Sequence, residues 1–250
     1  MKWSVYEHIM HPKTLLRQVL NYAYFSGEKP PLPVHYTPGN SRLVMVTGEN
    51  ASGKSFFVRV MAAYCRFGAD KEEAILVDMT MRTEGGLARA FVFGDEGSQS
   101  TGNISLQSVV KGITTCKGRE KNHYIFYDEP EIGLSEGYQM AMGAYFARFM
   151  EELPANTKGV VIATHSKYVV QPLVAYTPHH IHCGPPATLE EWLTQTPKAR
   201  SIDELLALNE DSWDTYRNLD EELRRGKEEK EERKVKAVRG RREGRRGRRP

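Results

Sequence analysis

The chain has 250 residues, a length that suits one large domain or two small ones. Hydrophobic residues make up 40% of it, and glycine raises the apolar share to about 48%, an ordinary value for a globular protein. No apolar run reaches about 18 residues, which predicts no transmembrane helix, and three scattered cysteines without a CxxC pair, Cys65, Cys116 and Cys183, predict a reducing, cytoplasmic setting. The net charge of +3 divides unevenly, because residues 233–250 carry ten Lys or Arg and one Glu, which leaves −6 on residues 1–232.

The predicted elements alternate between strands and helices from residue 42 onward. Before that point, apolar residues at helical spacing over Leu15–Tyr24 predict an amphipathic helix, and the proline-rich segment 29–34 predicts a loop. The alternation favours an α/β fold with a largely parallel sheet. Apolar runs predict strands at 43–47, 74–78, 89–93, 124–127 and 159–163, with 180–183 as a candidate sixth, and helical patterns predict helices at 54–66, 104–113 and 135–153.

The strongest local signal follows the first of these strands. Residues 48–55, Gly-Glu-Asn-Ala-Ser-Gly-Lys-Ser, match the pattern GxxxxGK[ST] between a predicted strand and a predicted helix. Glycine lets the backbone wrap around phosphate oxygens, and the positive end of the helix faces the same anion. We expect Lys54 to reach the β- and γ-phosphates of ATP and the Ser55 hydroxyl to ligate Mg²⁺; the alternative is a glycine turn with a chance lysine. The predicted nucleotide-binding residues are Gly48, Glu49, Asn50, Ala51, Ser52, Gly53, Lys54, Ser55 and Phe56.

Two carboxylates follow the strand predicted at 124–127. Asp128 and Glu129 stand at its carboxyl end, where open parallel sheets bind their ligands. We expect Asp128 to hold Mg²⁺, directly or through water, and Glu129 to orient and deprotonate an attacking water. An acidic surface turn is the alternative explanation.

A histidine follows the strand predicted at 159–163, at the same edge of the sheet. We expect His165 to hydrogen-bond the γ-phosphate and to help fix the water that Glu129 activates. The alternative is a histidine that caps a helix beginning near Ser166.

As a set, these motifs resemble those of ABC-class P-loop ATPases over about residues 42–184. Residues 48–55 correspond to the Walker A motif, Asp128 and Glu129 to Walker B, residues 131–135 to the D-loop and His165 to the switch histidine. Because a single chain without a membrane segment carries them, it is similar to the soluble SMC/RecF-type or "AAA-ABC" ATPases of bacteria and phages. The resemblance implies a Mg²⁺-dependent ATPase that forms a head-to-tail homodimer around ATP.

The resemblance also implies a signature motif that contacts the γ-phosphate held by the partner subunit. Its candidate opens the helix predicted at 104–113 and consists of Ser100, Thr101, Gly102 and Asn103. Compared with the family's LSGGQ, it lacks the leucine and one glycine and has Asn instead of Gln; a serine-rich loop with a helix cap is the alternative. Gln99 is a poor candidate for a Q-loop glutamine, and the 45 positions from Ser55 to Ser100 leave room only for a reduced helical subdomain.

Two groups of aromatic and metal-binding side chains are weaker candidates. His35 and Tyr36 are candidates for adenine stacking, although aromatic side chains in a loop equally serve packing. His179, His180, His182 and Cys183 are zinc-ligand types without a second half at the known spacings, so no metal site is predicted there.

Past Pro186 the strand signals stop. Helical patterns at 189–193, 202–208 and 213–223 predict a helical C-terminal extension over residues 187–232, after an ATPase domain over residues 1–186. Residues 233–250 contain glycines and few apolar residues, which predicts a basic tail that is disordered when free.

The basic tail points to the partners of the protein. Clustered Arg and Gly without aromatic residues favour sequence-independent contact with DNA or RNA, the alternatives being a solubilising extension or contact with an acidic protein. We therefore expect an ATPase in repair, phage replication or antiphage defence, with an effector protein such as a nuclease as a candidate partner. The alternatives are a nucleotide-gated scaffold or sensor and, less favoured, the cytosolic ATPase of a transporter, which needs a Q-loop and a larger helical subdomain.

Overall fold

The computed structural model describes residues 11–68, 72–78, 100–196, 199, 201–204 and 206–207. The strand predicted at 89–93 and Gln99 lie outside these residues. In chain order the elements are α1 (Pro12–Leu20), β1 (Val34–Thr37), β2 (Leu43–Gly48), α2 (Lys54–Phe67), β3 (Glu73–Val77), α3 (Thr101–Lys117), β4 (His123–Asp128), α4 (Glu136–Glu151), β5 (Thr157–Ala163), α5 (Lys167–Val170), a 3₁₀ helix (Gln171–Tyr176), β6 (His179–Cys183) and α6 (Leu189–Thr194).

The strands in the described residues form one mostly parallel sheet in the order β1-β6-β2-β5-β4-β3. β1 is antiparallel to β6, and all other neighbouring strands are parallel. β5 lies between β2 and β4, with Val46 opposite Ala163 and Ala163 opposite Asp128. The carboxyl ends of the three strands that lead into the predicted motifs are therefore side by side.

Helices cover both faces of the sheet, which confirms the predicted α/β class. The central strands are buried along their whole length, as expected of parallel strands between two helical layers. On one face, α1 and α2 pack against Val44, Val46, Phe126, Val161 and Ile181. On the other, α3, α4, α5, the 3₁₀ helix and α6 pack against Leu43, Met45, Ile125, Val160 and Ile162.

Two expectations for the N-terminal segment are wrong. The helix predicted over Leu15–Tyr24 ends at Leu20, and Ala23 is exposed in the turn that follows. Val34, assigned to the proline-rich loop, begins β1. This strand is four residues long, only partly buried, and pairs antiparallel with β6 at the sheet edge, so it lacks the buried apolar run that marks the central strands.

By its internal contacts the chain divides into two units, Met1–Thr196 and Pro197–Pro250. All elements named above belong to the first unit. In the second, residues 202–204 and 206–207 are helical, and Ser201 and Glu204 accept hydrogen bonds from each other's backbone N–H. The predicted helix at 213–223 and the tail at 233–250 lie outside the described residues. None of the helices within the described ranges is long and apolar enough to cross a bilayer.

Candidate active site

The loop between β2 and α2, residues 48–53, takes backbone conformations that depend on its glycines. The φ angle is +147° at Gly48, +58° at Ala51 and +92° at Gly53, which is the N-cap of α2. A Cβ atom on Gly48 would lie 2.5 Å from the carbonyl oxygen of Cys183, so a larger residue would displace backbone. The loop is thus wrapped tightly around the N-terminal end of α2, an arrangement that suits an anion.

The first turn of α2 adds backbone N–H donors beside this loop. The first hydrogen bond within the helix runs from Phe57 N–H to the Gly53 carbonyl, which leaves the N–H groups of Lys54, Ser55 and Phe56 without an acceptor in the helix. The ring of Phe56 packs edge-on against Tyr24 and also contacts Phe25. Phe56 therefore offers the site its backbone N–H and not its side chain.

Lys54 is held inside the loop. Its side chain is 3% exposed, and Nζ donates to the carbonyl oxygens of Gly48 at 3.1 Å and Glu49 at 2.8 Å. Nζ also lies 3.7 Å from Glu129 Oε1. Glu49, Asn50 and Ala51 are exposed on the outer side of the loop. The ammonium group is thus held by oxygen atoms of the loop and faces the Glu129 carboxylate.

The Ser52 hydroxyl is a further donor in this loop. Its Oγ atom is buried and has no hydrogen-bond partner within the residues that the structure describes. A buried hydroxyl without a partner costs free energy, which an acceptor brought by a bound ligand would recover.

Ser55 and Asp128 meet across the sheet edge. The Ser55 hydroxyl donates to Asp128 Oδ1 at 3.0 Å, and Asp128 is 3% exposed. Burial raises the pKa of Asp128, the hydrogen bond from Ser55 lowers it, and the nearby negative charge of Glu129 raises it further. A hydroxyl and a carboxylate are the hard oxygen ligands that Mg²⁺ prefers, so this pair fits the predicted magnesium site.

Glu129 has a backbone conformation that is rare for a residue with a side chain. Its φ angle is +49°, and its N–H donates to the carbonyl of Ala163 on β5 at 2.8 Å. Oε1 lies between two basic groups, 3.7 Å from Lys54 Nζ and 3.5 Å from His165 Nδ1. A strained backbone conformation persists only where the surrounding structure holds it in place, and such residues are frequent at functional sites.

His165 does not cap the helix that follows it. Ser166 is the N-cap of α5 and accepts from the N–H of Val169, which excludes the capping alternative. The imidazole is half-exposed, and its Nδ1 lies 3.5 Å from Glu129 Oε1 and 3.5 Å from Glu131 Oε1. The contact with Glu129 and the nearby charge of Glu131 raise the pKa of His165 against the opposing effect of burial.

The structure therefore brings two groups of contacts to three adjacent strand ends, Ser55 with Asp128 and Glu129 with both Lys54 and His165. A carboxylate between two basic groups, next to a buried oxygen pair and a glycine-wrapped helix terminus, can accept a proton beside a bound anion.

Ser100 begins α3 as its N-cap and accepts from the N–H of Asn103 at 3.3 Å. The helix starts at Thr101, so Thr101, Gly102 and Asn103 form its first turn instead of preceding it. A Cβ on Gly102 would lie 2.5 Å from the carbonyl oxygen of Gly133, so this first turn packs directly on the loop after β4. The capping bond occupies one of the N–H groups that the signature role would offer to a phosphate.

Sequence reasoning did not predict the contacts of Glu131. This residue is 1% exposed and accepts from Thr164 Oγ1 at 2.5 Å and from His165 N–H at 3.2 Å. The sequence features that belong to these contacts are a third carboxylate two positions after Glu129 and a threonine directly before His165. Neither is informative until the adjacency of β4 and β5 is known.

Tyr36 and the three histidines of β6 have structural partners. Tyr36 O–H lies 3.0 Å from His179 Nδ1, and the Thr47 hydroxyl lies 2.7 Å from His180 Nε2 and 2.9 Å from His182 Nδ1. His35 and Tyr36 are on β1 and not in a loop, which corrects their assignment. Within the described part of the chain, no group of three His, Cys, Asp or Glu side chains is arranged to hold a metal ion.

Comparison with known proteins adds no assignment. No protein-family model matches the chain, and no curated protein is significantly similar to it in sequence.

Proposed function

We propose that this chain is a P-loop ATPase of the ABC class that binds ATP with Mg²⁺ and hydrolyses it. The observation that carries the proposal is the unbroken run of contacts from Lys54 through Glu129 to His165 across three neighbouring strand ends. A chance glycine turn gives no reason for a lysine, a strained glutamate and a histidine to meet there.

Each residue has a role that follows from its surroundings. The N–H groups of residues 54–56 and the Lys54 ammonium receive the phosphates, and Lys54 exchanges its loop carbonyls for phosphate oxygens. Ser55 and Asp128 would hold Mg²⁺, which neutralises charge on the phosphate oxygens when bound. Glu129 accepts a proton from the attacking water, and His165 orients the water and the terminal phosphate.

The proposal includes a partner subunit, because the resemblance implies ATP shared between two copies. Two observations support a role for residues 100–103 in it: they form the N-cap and first turn of a 17-residue helix, and Gly102 packs on the loop after β4. The N-terminal end of a helix attracts a phosphate. In this arrangement the ATP of one subunit meets the first turn of α3 from the other.

Two substitutions test the ATPase. Lys54→Ala should abolish ATP binding, because it removes the cation that the loop encloses. Glu129→Gln should retain ATP binding and lose at least about 100-fold in turnover, so that an ATP-bound dimer accumulates. Binding is measured by calorimetry, turnover by phosphate release, and assembly by light scattering with ATP and Mg²⁺.

The controls make the same chemical changes at exposed positions. Lys117→Ala removes a lysine whose ion pair with Glu152 is exposed, and Glu120→Gln removes a surface carboxylate. Both should behave like the wild type. Wild-type turnover by Glu129→Gln would contradict the general-base role, and undiminished ATP binding by Lys54→Ala would contradict the nucleotide site.

We further propose that the ATPase serves a process on nucleic acid, in repair, phage replication or antiphage defence, on the evidence of the +9 charge over residues 233–250. Turnover of the full chain should rise with DNA or RNA, and a chain ending at Glu232 should lose the response. An effector such as a nuclease would be a separate partner. Tight ATP binding with very slow, unstimulated turnover would instead favour a nucleotide-gated scaffold or sensor.

A further inference from the structure

Glu131 is a buried carboxylate in the loop after β4, and its side chain contacts the turn after β5. It accepts from the Thr164 hydroxyl and the His165 N–H, and its Oε1 lies 3.5 Å from His165 Nδ1. Its second oxygen, Oε2, is buried and has no hydrogen-bond partner within the described residues. The residue therefore joins the loop after β4 to the turn that carries His165.

The local fold does not require a charge at this position. The loop after β4 is closed by backbone hydrogen bonds, from Ile132 N–H to the Glu129 carbonyl and from Leu134 N–H to the Glu131 carbonyl. The Thr164 hydroxyl and the His165 N–H would be accepted equally well by the amide oxygen of a glutamine. Burying a carboxylate with one unpaired oxygen costs free energy. Loop closure alone does not explain why a charged residue stands here.

The imidazole of His165 is the nearby group that benefits from the charge. With Nδ1 facing two carboxylates, the ring keeps its proton on Nδ1, and Nε2 carries a proton only when the ring is charged. A negative charge next to Nδ1 favours the charged ring, whose Nε2–H can then donate to a phosphate oxygen. Glu129 cannot serve this purpose alone because it gives up its charge when it accepts a proton from water.

We propose that Glu131 is a positioning residue that holds the backbone and the ring of His165 in the orientation needed for hydrolysis. The inference rests on the proposed ATPase function. Glu131 does not touch the nucleotide in this arrangement, and its effect reaches the reaction through His165. Its loss should therefore slow turnover without weakening ATP binding.

Glu131→Gln tests the charge while keeping the size and one hydrogen-bond acceptor. We expect kcat to fall roughly tenfold, with the Kd for ATP unchanged within about twofold, because the lost contact is charge-assisted and acts after binding. Glu120→Gln, an exposed match, should leave both constants at the wild-type value. Unchanged kcat in Glu131→Gln would overturn the proposal, as would a weakened Kd for ATP that accounts for the whole loss.

A double-substitution cycle separates positioning from a general structural effect. If Glu131 acts through His165, Glu131→Gln should have no further effect on kcat in a His165→Asn background. Independent, multiplicative losses would overturn the proposal. Should Glu131→Gln fail to fold, Thr164→Val removes the donor that anchors the carboxylate, together with the acceptor of the Ser166 N–H, and should lower kcat in the same His165-dependent manner.

An NMR titration of His165 tests the role of Glu131 independently of ATP hydrolysis. In histidine-labelled protein without nucleotide, Glu131→Gln should lower the pKa of His165 followed by NMR and leave the signals of His182 unchanged. If the wild type does not hydrolyse ATP, the proposed function fails, and this shift still decides whether Glu131 positions His165. An unaltered His165 titration would overturn the positioning role whatever the ATPase result.

Discussion

Asp128, Glu129 and Glu131 lie within four positions of one another and have very different surroundings. Asp128 and Glu131 are 3% and 1% exposed, whereas the Glu129 side chain is 21% exposed and faces two basic groups. Burial raises the pKa of both Asp128 and Glu131. A folded protein gains nothing from burying an ionised carboxylate beside other carboxylates, so Asp128 has the energetic character of a ligand-binding residue.

Asp128→Asn should therefore stabilise the protein and impair its function. Without a divalent cation, we expect the free energy of unfolding to rise by on the order of 1 kcal/mol, because the buried charge disappears and the Ser55 hydrogen bond can remain. Mg²⁺ with ATP should raise the melting temperature of the wild type and not that of the variant. The exposed Asp203→Asn is the control, and a destabilised Asp128→Asn protein would indicate a structural carboxylate instead.

Helix α4 approaches α5 closely at a single glycine. A Cβ on Gly143 would lie 2.7 Å from the carbonyl oxygen of Val169 and 2.9 Å from that of Tyr168, both backbone atoms of α5. Gly137, in the first turn of the same helix, would place a Cβ with nothing within 4 Å. Because α5 begins directly after His165 and Ser166, the packing at Gly143 also fixes the position of the turn that carries His165.

Alanine at these two glycines should have opposite effects. Gly143→Ala forces α5 away and should lower the free energy of unfolding by about 1–3 kcal/mol, with a loss of turnover because His165 moves. Gly137→Ala should raise stability by up to about 1 kcal/mol, because alanine reduces the entropy lost when a helix forms. Chemical denaturation measures both. An equally stable Gly143→Ala protein would show that α5 can shift without cost.

Much of this element structure could be predicted because each central strand is one uninterrupted apolar run. The ends of α3 could not: the helix runs from Thr101 to Lys117 instead of 104–113. Thr114 and Thr115 interrupt the apolar spacing, yet their hydroxyls donate to the carbonyls of Val110 and Lys111 and so remain compatible with the helix.

Within the candidate site, the sequence motifs point to Lys54, Asp128 and His165, but they give no sign of the contact between Glu131 and Thr164, which depends on strand adjacency. Glu131 and Thr164 are 33 positions apart, and their hydrogen bond requires β4 and β5 to be neighbours in the register that places Asp128 opposite Ala163. Strand order and register arise from the packing of the whole sheet, so no local pattern in the sequence encodes that contact.

At the scale of the whole molecule, the sheet contains histidines that are buried in their neutral form. His179 Nδ1 accepts from the N–H of Gly39, and His180 Nε2 lies 2.7 Å from the Thr47 hydroxyl. Burial lowers the pKa of each to about 4. In the unfolded chain these histidines have a pKa of about 6.5. Between about pH 4 and about pH 6.5 the unfolded chain therefore binds more protons than the folded protein, and stability rises with pH across that window.

The carboxylates act in the opposite direction. Asp128 and Glu131 have raised pKa values, so in the acidic range the folded protein holds their protons more tightly than the unfolded chain does, and stability falls as the pH rises through that range. The pH dependence of unfolding sums these contributions with those of the other groups whose pKa values are shifted, such as His165 and Glu73. A substitution that removes one histidine is therefore needed to isolate its share.

His180→Gln should flatten the dependence of stability on pH. Glutamine can keep a hydrogen bond to Thr47 and has no proton to gain, so the wild type should lose on the order of 2 kcal/mol more than the variant between pH 7 and pH 5. Urea denaturation at several pH values measures the difference. His35→Gln, on the neighbouring edge strand and only half-buried, is the matched control for the loss of a histidine ring. Parallel curves for the wild type and His180→Gln would mean that water reaches the His180 ring at acidic pH before the protein unfolds.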